Sequence, residues 1–171
     1  MKTATITFHC SVNYGSVLQA YALQRVLHLY GIDNDIIDYV YRYDNRNYDL
    51  FRTYLYRQNP KSLVRDIITL RRRFVKNKKF ADFLKYRCKL TRKRYYDCDS
   101  LSELVEDYDA FICGSDQIWN TSCTRGVVPA YFLEFAKGNG RPKLAYAPSL
   151  GHESIDVRYV QDFADRITNI D

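Results

Sequence analysis

The sequence predicts an α/β fold built on a parallel sheet, and three observations point there. Residues Thr3 to Phe8 alternate apolar with β-branched or polar side chains, the pattern of a strand. Leu23, Val26, Leu27 and Tyr30 then follow the i, i+3, i+4, i+7 spacing of a helix with one buried face. Asp35 to Val40 returns to a strand-like apolar run, so strand, helix and strand follow each other closely enough for a βαβ unit.

The elements follow in order. A polar turn, His9 to Gly15, separates the first strand from its helix. Ser16 and Gln19 have the spacing of a capping box, which starts the helix at Ser16. Gly31 stands where a glycine stop ends a helix. From Tyr41 to Asn59 the chain is rich in Tyr, Arg and Asn and has no period, which predicts an irregular excursion. Ser62 to Leu90 carries apolar residues at Leu63, Ile67, Leu70, Phe74, Phe80 and Leu84, which predicts one or two amphipathic helices. Leu101 to Val105 reads as a short helix and Tyr108 to Cys113 as a central buried strand. Lys143 to Ala147 reads as a further strand and Val157 to Ile167 as a helix. There is no internal repeat.

The 171 residues suit a single domain, 1–171, with a basic helical insertion at about 61–94. With 46% hydrophobic and 27% charged residues the composition is that of a globular chain. No signal-peptide pattern opens the sequence, and no stretch reaches the roughly 18 apolar residues of a membrane span. A cytoplasmic location follows as the expectation. The five cysteines, Cys10, Cys88, Cys98, Cys113 and Cys123, are odd in number and form no C-x-x-C pair, which predicts reduced thiols and no metal site. Cys10 follows a strand and could line a site. The net charge is +6, but Lys61 to Arg94 holds fourteen Lys or Arg against only Asp66 and Asp82. Such a block attracts phosphates, nucleic acid or an anionic membrane surface, or simply solvates a helix. No nucleic-acid-binding motif accompanies it, so nucleic acid is the less favoured partner.

Parallel sheets place ligands beyond the carboxyl ends of their strands. Three polar loops are expected there: His9 to Ser16, Gly114 to Asn120 and Pro148 to His152. Asn13-Tyr14-Gly15-Ser16 opens a helix, whose exposed N–H groups and dipole suit an anion, or serve only as an ordinary capped turn. Ser115, Asp116, Gln117 and Trp119 supply hydroxyl, carboxylate, amide and indole groups of the kind that hold sugars. Equally, Asp116 could cap a turn and Trp119 pack in the core. His9 and His152 end two strands, where each could act as a base, contact a phosphate or bond a backbone carbonyl; His28 lies mid-helix and reads as structural.

The motifs Thr7-Phe8-His9, Asn13 through Gln24, Ile37-Asp38-Tyr39, Tyr108 through Asn120, Tyr131-Phe132-Leu133, Ala145 through Ser149, and Gly151 resemble, in that order, the polysaccharide pyruvyl transferase family. The resemblance implies transfer of the enolpyruvyl unit of phosphoenolpyruvate to a sugar hydroxyl of a cell-surface glycan or its lipid-linked precursor, forming a pyruvate ketal. No cofactor is implied beyond that donor substrate. The implied architecture is glycosyltransferase-B-like, two Rossmann-like halves facing across a cleft. The donor site lies in the second half of typical members and has no counterpart here, so the resemblance implies an acceptor-side half that is inactive alone. On this reading His9, Asn13, Tyr14, Gly15 and Gln19, with Ser16 at the helix start, face the cleft. Ser115, Asp116, Gln117 and Trp119 help to hold the acceptor. The alternatives are a non-catalytic glycan-binding or regulatory fragment, and a basic-patch binder of nucleic acid or of a membrane surface, which would place the chain peripherally on the inner face. Self-association, or pairing with the second half through an apolar face, is also expected.

Overall fold

In the computed structural model, residues 1–41, 59 and 61–171 are described. Among these residues four strands make one parallel sheet in the order β2-β1-β3-β4: β1 (Lys2–Ile6), β2 (Asp33–Ile36), β3 (Ala110–Cys113) and β4 (Lys143–Ala145). Thr3 of β1 lies opposite Asn34 of β2 and Ala110 of β3, and Ile112 of β3 lies opposite Leu144 of β4. The expected parallel α/β fold is present.

The alternation in β1 divides the sheet into two faces. Ala4 and Ile6, with Phe8 beyond them, join Phe111 and Cys113 of β3 in the main core. That core is closed by Leu101 and Leu104 from a run of 3-10 turns, Asp99–Asp107, and by Tyr131, Leu133 and Ala136 from shorter turns between Pro129 and Ala136. Phe8 meets the Tyr131 ring edge-on at 5.3 Å, and Phe111 meets Phe135 at 5.1 Å. Thr3, Thr5 and Thr7 line the other face. There α1 (Tyr14–Leu29) packs, burying Val17, Ala20, Leu23 and Gln24. A Cβ at Gly114 would come within 3.1 Å of both Thr5 and Thr7, so the bare backbone there permits the close approach of β1 and the end of β3.

Buried polar groups tie that second face together. Asn34 Nδ2 donates to Thr3 Oγ1 and Thr5 Oγ1, both at 2.9 Å. Gln24 Nε2 donates to the carbonyls of Asn34 and Lys89, and its Oε1 accepts from Lys89 N, all at 2.9 Å. One side chain thus joins α1, β2 and the chain that leaves the basic helix.

Several expectations need correction. The N-cap of α1 is Asn13, whose side chain accepts from Gly15 N at 2.9 Å, and Ser16 is buried within the first turn. Gln19 closes no capping box; its amide reaches the end of β1 instead. The second strand starts earlier than Asp35, because Gly31, at φ +74°, turns the chain directly from α1 into β2. The strand also ends earlier than Val40, at Ile36; Tyr39 N donates back to the Ile37 carbonyl at 2.7 Å, and Tyr39 pairs with Tyr95 of the chain that follows the basic helix. The basic segment is a single helix, α2 (Lys61–Arg87). A four-residue turn, α3 (Thr121–Thr124), follows β3, and α4 (Val160–Ile167) follows β4. The irregular stretch expected over 41–59 lies, apart from its two end residues, outside the described residues. No helix among the described residues is long and apolar enough to cross a membrane.

Candidate functional site

From β1 the chain crosses to β2 on one side, and from β3 it crosses to β4 on the other. The switch point of the sheet therefore lies between β1 and β3, where parallel sheets bind ligands at the carboxyl edge. The loops at that edge are linked. Gln19 Nε2 donates to Thr7 Oγ1 at 3.0 Å and to the Phe8 carbonyl at 3.1 Å. Thr7 Oγ1 donates in turn to the Ser115 carbonyl. Asp116 pairs across to Pro148, and Ser149 N donates to the Asp116 carbonyl at 2.9 Å.

Asp116 is the strained residue of this group. Its φ of +108° lies in a region that side chains other than glycine's rarely occupy. One carboxylate oxygen accepts from Gln117 N at 2.8 Å, and the other is buried without a hydrogen-bond partner. The helical turn that follows is capped by Asn120, whose Oδ1 accepts from Ser122 N at 3.0 Å, so Asp116 does not serve as its cap. Gly151, at φ +69°, seals this loop to the next: a Cβ there would meet Asn120 Nδ2 at 2.5 Å and Gln117 Oε1 at 2.8 Å.

Trp119 is anchored on one side and open on the other. Its ring stacks on Phe132 at 5.3 Å, and its Nε1 donates to the Tyr131 carbonyl at 3.0 Å. The half-buried indole then borders a shallow pocket of about 720 Å³, formed with Pro148 to Glu153, Phe163 and Ile167. His152 sits on this rim and is exposed.

His9 turns elsewhere. Its ring is fully buried, with Nδ1 3.2 Å from the Thr7 carbonyl and Nε2 3.2 Å from Asp38 Oδ1. Arg94 Nε donates to the other Asp38 oxygen at 2.9 Å. Burial alone would raise the Asp38 pKa. The hydrogen bond from His9 and the charges of His9 and Arg94 outweigh it and hold the carboxyl below its ordinary value of 3.8. These groups form the floor of a second pocket, about 630 Å³, which Cys10, Leu84, Lys85 and Cys88 also line. Burial pushes the Cys88 thiol up to about 11, so it stays protonated at neutral pH.

The start of α1 faces a third concavity. Val12, Asn13 and Tyr14 border it together with Arg73, Lys76 and Asn77 of α2. The exposed Tyr14 ring lies 4.9 Å from Phe80. The three polar loops therefore share one edge but open into three pockets. Asp116, Gln117 and Trp119 meet the Pro148–His152 loop, Ser115 meets Thr7, Asn13 and Tyr14 meet α2, and His9 meets Asp38.

Asp38 and Arg94 were not singled out as site residues from the sequence. Asp38 stood only within the Ile37-Asp38-Tyr39 motif, and Arg94 within the basic block. His28 accepts from Asn34 N at 3.3 Å, a structural contact. Among the described residues no three His, Cys, Asp or Glu side chains cluster as metal ligands.

Together the fold and its linked polar loops define a parallel α/β domain whose polar loops gather at the switch point. Residues 13–169 match the sequence profile of the polysaccharide pyruvyl transferase family, and the chain belongs to that family. No curated protein and no solved structure gives a match.

Proposed function

We propose that this domain serves the transfer of pyruvate from phosphoenolpyruvate to a sugar and supplies the acceptor side of that reaction. Ketal formation joins two sugar oxygens to one carbon of the enolpyruvyl unit, protonates its methylene to a methyl group and releases phosphate. The acceptor must therefore be held with two hydroxyls turned the same way. The shelf at the β3 and β4 exits suits that task, with Ser115, Gln117 and Ser149 for hydroxyls and Trp119 for the apolar side of a ring.

The observation that carries this reading is Asp116. A positive φ and a buried carboxylate oxygen without a partner are both unfavourable, and they coincide at the switch point of a sheet from this family. Local strain of this kind gathers at functional loops. Glycine would relieve it, yet the position carries a carboxylate. The acceptor is a sugar of a cell-surface glycan or of its lipid-linked precursor. In the glycosyltransferase-B-like arrangement that we propose, a second Rossmann-like half brings the donor site across the cleft.

Ligand-observed NMR on this chain tests the proposal, with simple sugars, phosphoenolpyruvate and inorganic phosphate as ligands. Sugars should show saturation transfer that weakens in Asp116→Ala and Trp119→Ala, whereas phosphoenolpyruvate should behave like phosphate. Sugar signals untouched by both substitutions in folded protein would overturn the acceptor role. Specific phosphoenolpyruvate binding would move part of the donor site into this domain.

A further inference from the structure

The basic helix α2 has two unlike faces. Ser62, Asp66, Phe80 and Leu84 are buried. Asp66 is paired with Arg73 at 2.8 Å, and Phe80 and Leu84 pack on Val17 of α1. A separate stripe, Val64, Ile67, Ile68, Arg71 and Val75, follows the i, i+3, i+4, i+7, i+11 spacing of one helix side. Its apolar members are exposed: Val64 by 58%, Ile67 by 58%, Ile68 by 77% and Val75 by 44%. Phe74 is also exposed. Exposed Arg65, Arg72, Lys76 and Lys79 border the stripe along one side. Over the whole helix ten Lys or Arg stand against Asp66 and Asp82.

We propose that α2 lays this stripe on an anionic lipid surface. Apolar side chains with a dense basic border are what an interfacial helix needs: the first enter the boundary between headgroups and acyl chains, and the second pair with anionic headgroups. The helix is about 40 Å long at 1.5 Å per residue, enough to lie along a surface. The positive charge is concentrated in and just after this helix while the rest of the chain is net acidic, so the molecule's own field turns α2 toward a negative surface. A second copy of the chain fits less well, since it would bring like charges together. A nucleic acid would leave the apolar stripe without a role. Between α1 and α2 runs a groove of about 150 Å³ walled by Leu18, Phe80 and Phe83, with Lys76 and Lys79 beside it, which repeats the same combination of apolar wall and cation.

Vesicle flotation of the whole chain tests this without reference to sugar binding, so the two readings fail separately. The probes are vesicles of phosphatidylcholine alone and of phosphatidylcholine mixed with phosphatidylserine. The wild type should float with the anionic vesicles only, and added salt should weaken the binding. Arg71→Glu/Arg72→Glu and, separately, Ile67→Asp/Ile68→Asp should each reduce it about tenfold or more, with unchanged circular dichroism, because the substituted side chains are exposed. Three results would each overturn the proposal: no flotation of folded wild-type protein, flotation indifferent to both double substitutions, or a sedimenting dimer that Ile67→Asp/Ile68→Asp dissociates. Salt-sensitive binding to duplex DNA that survives Ile67→Asp/Ile68→Asp, with no flotation, would reassign the surface to nucleic acid.

Discussion

The two faces of the sheet are built on different principles. The face under the 3-10 turns is apolar and aromatic, with Phe8, Tyr131, Phe111 and Phe135 meeting edge to face. The face under α1 is largely polar, with Thr3, Thr5, Thr7, Asn34, Gln24 and Gln19 joined by hydrogen bonds. Apolar packing contributes stability in proportion to area and is indifferent to direction. A buried polar network is directional and favours one arrangement of its members. The linked loops of the candidate site leave from the polar face, through Gln19, Thr7 and Ser115. The difference teaches that stability and placement are divided here: one face holds the domain together, and the other sets where the loops begin.

The largest expected effect breaks the apolar face. Phe111→Ala should lower unfolding free energy by about 3–5 kcal/mol in urea denaturation, because Phe111 is fully buried between Tyr108 and Phe135. A loss below about 1 kcal/mol would mean that this face is loosely packed.

Next comes the polar face. Gln24→Ala removes three hydrogen bonds of a buried side chain and should cost about 2–3 kcal/mol. Amide exchange should show faster opening around Lys89 while the core amides of β3 keep their protection. If Gln24→Leu is as stable as wild type, the network contributes to specificity rather than to stability.

Asp116→Gly should act in the opposite direction. Relief of the positive φ should add about 1 kcal/mol of stability. At the same time sugar binding should weaken. A loss of stability would show that the carboxylate supports the loop more than its backbone strains it.

The smallest effect concerns pH. The Asp38 pKa is lower in the folded protein than its ordinary 3.8, so the stabilisation is present above about pH 4. It fades as pH falls through the folded value. Asp38→Asn should flatten the acid limb of stability against pH in thermal melts between pH 2 and 5, about the range over which a lowered carboxylate titrates.

Much of the architecture was legible. The alternation of β1, the stop at Gly31, the apolar run before Cys113 and the placement of polar loops after strands all match the structure. Local rules failed where two residues qualified for one role. Asn13 and Ser16 are both good helix caps; Asn13 takes the role, and Gln19 bonds Thr7 and Phe8 at the end of β1 instead of closing a capping box. Nothing local told whether the basic segment was one helix or two.

The sequence by itself determined the alternating strands, the helical faces, the concentration of positive charge and the family. These follow from short-range periodicity, side-chain chemistry and motif order, all of which lie along the chain. The tertiary structure alone decided that His9 and Arg94 meet on Asp38 and that His9 does not join the Asp116 loop, that Gln24 bridges three segments, and that the stripe on α2 stays exposed. Those outcomes depend on contacts between residues distant in sequence, and their energies exist only once the sheet has brought its edges together.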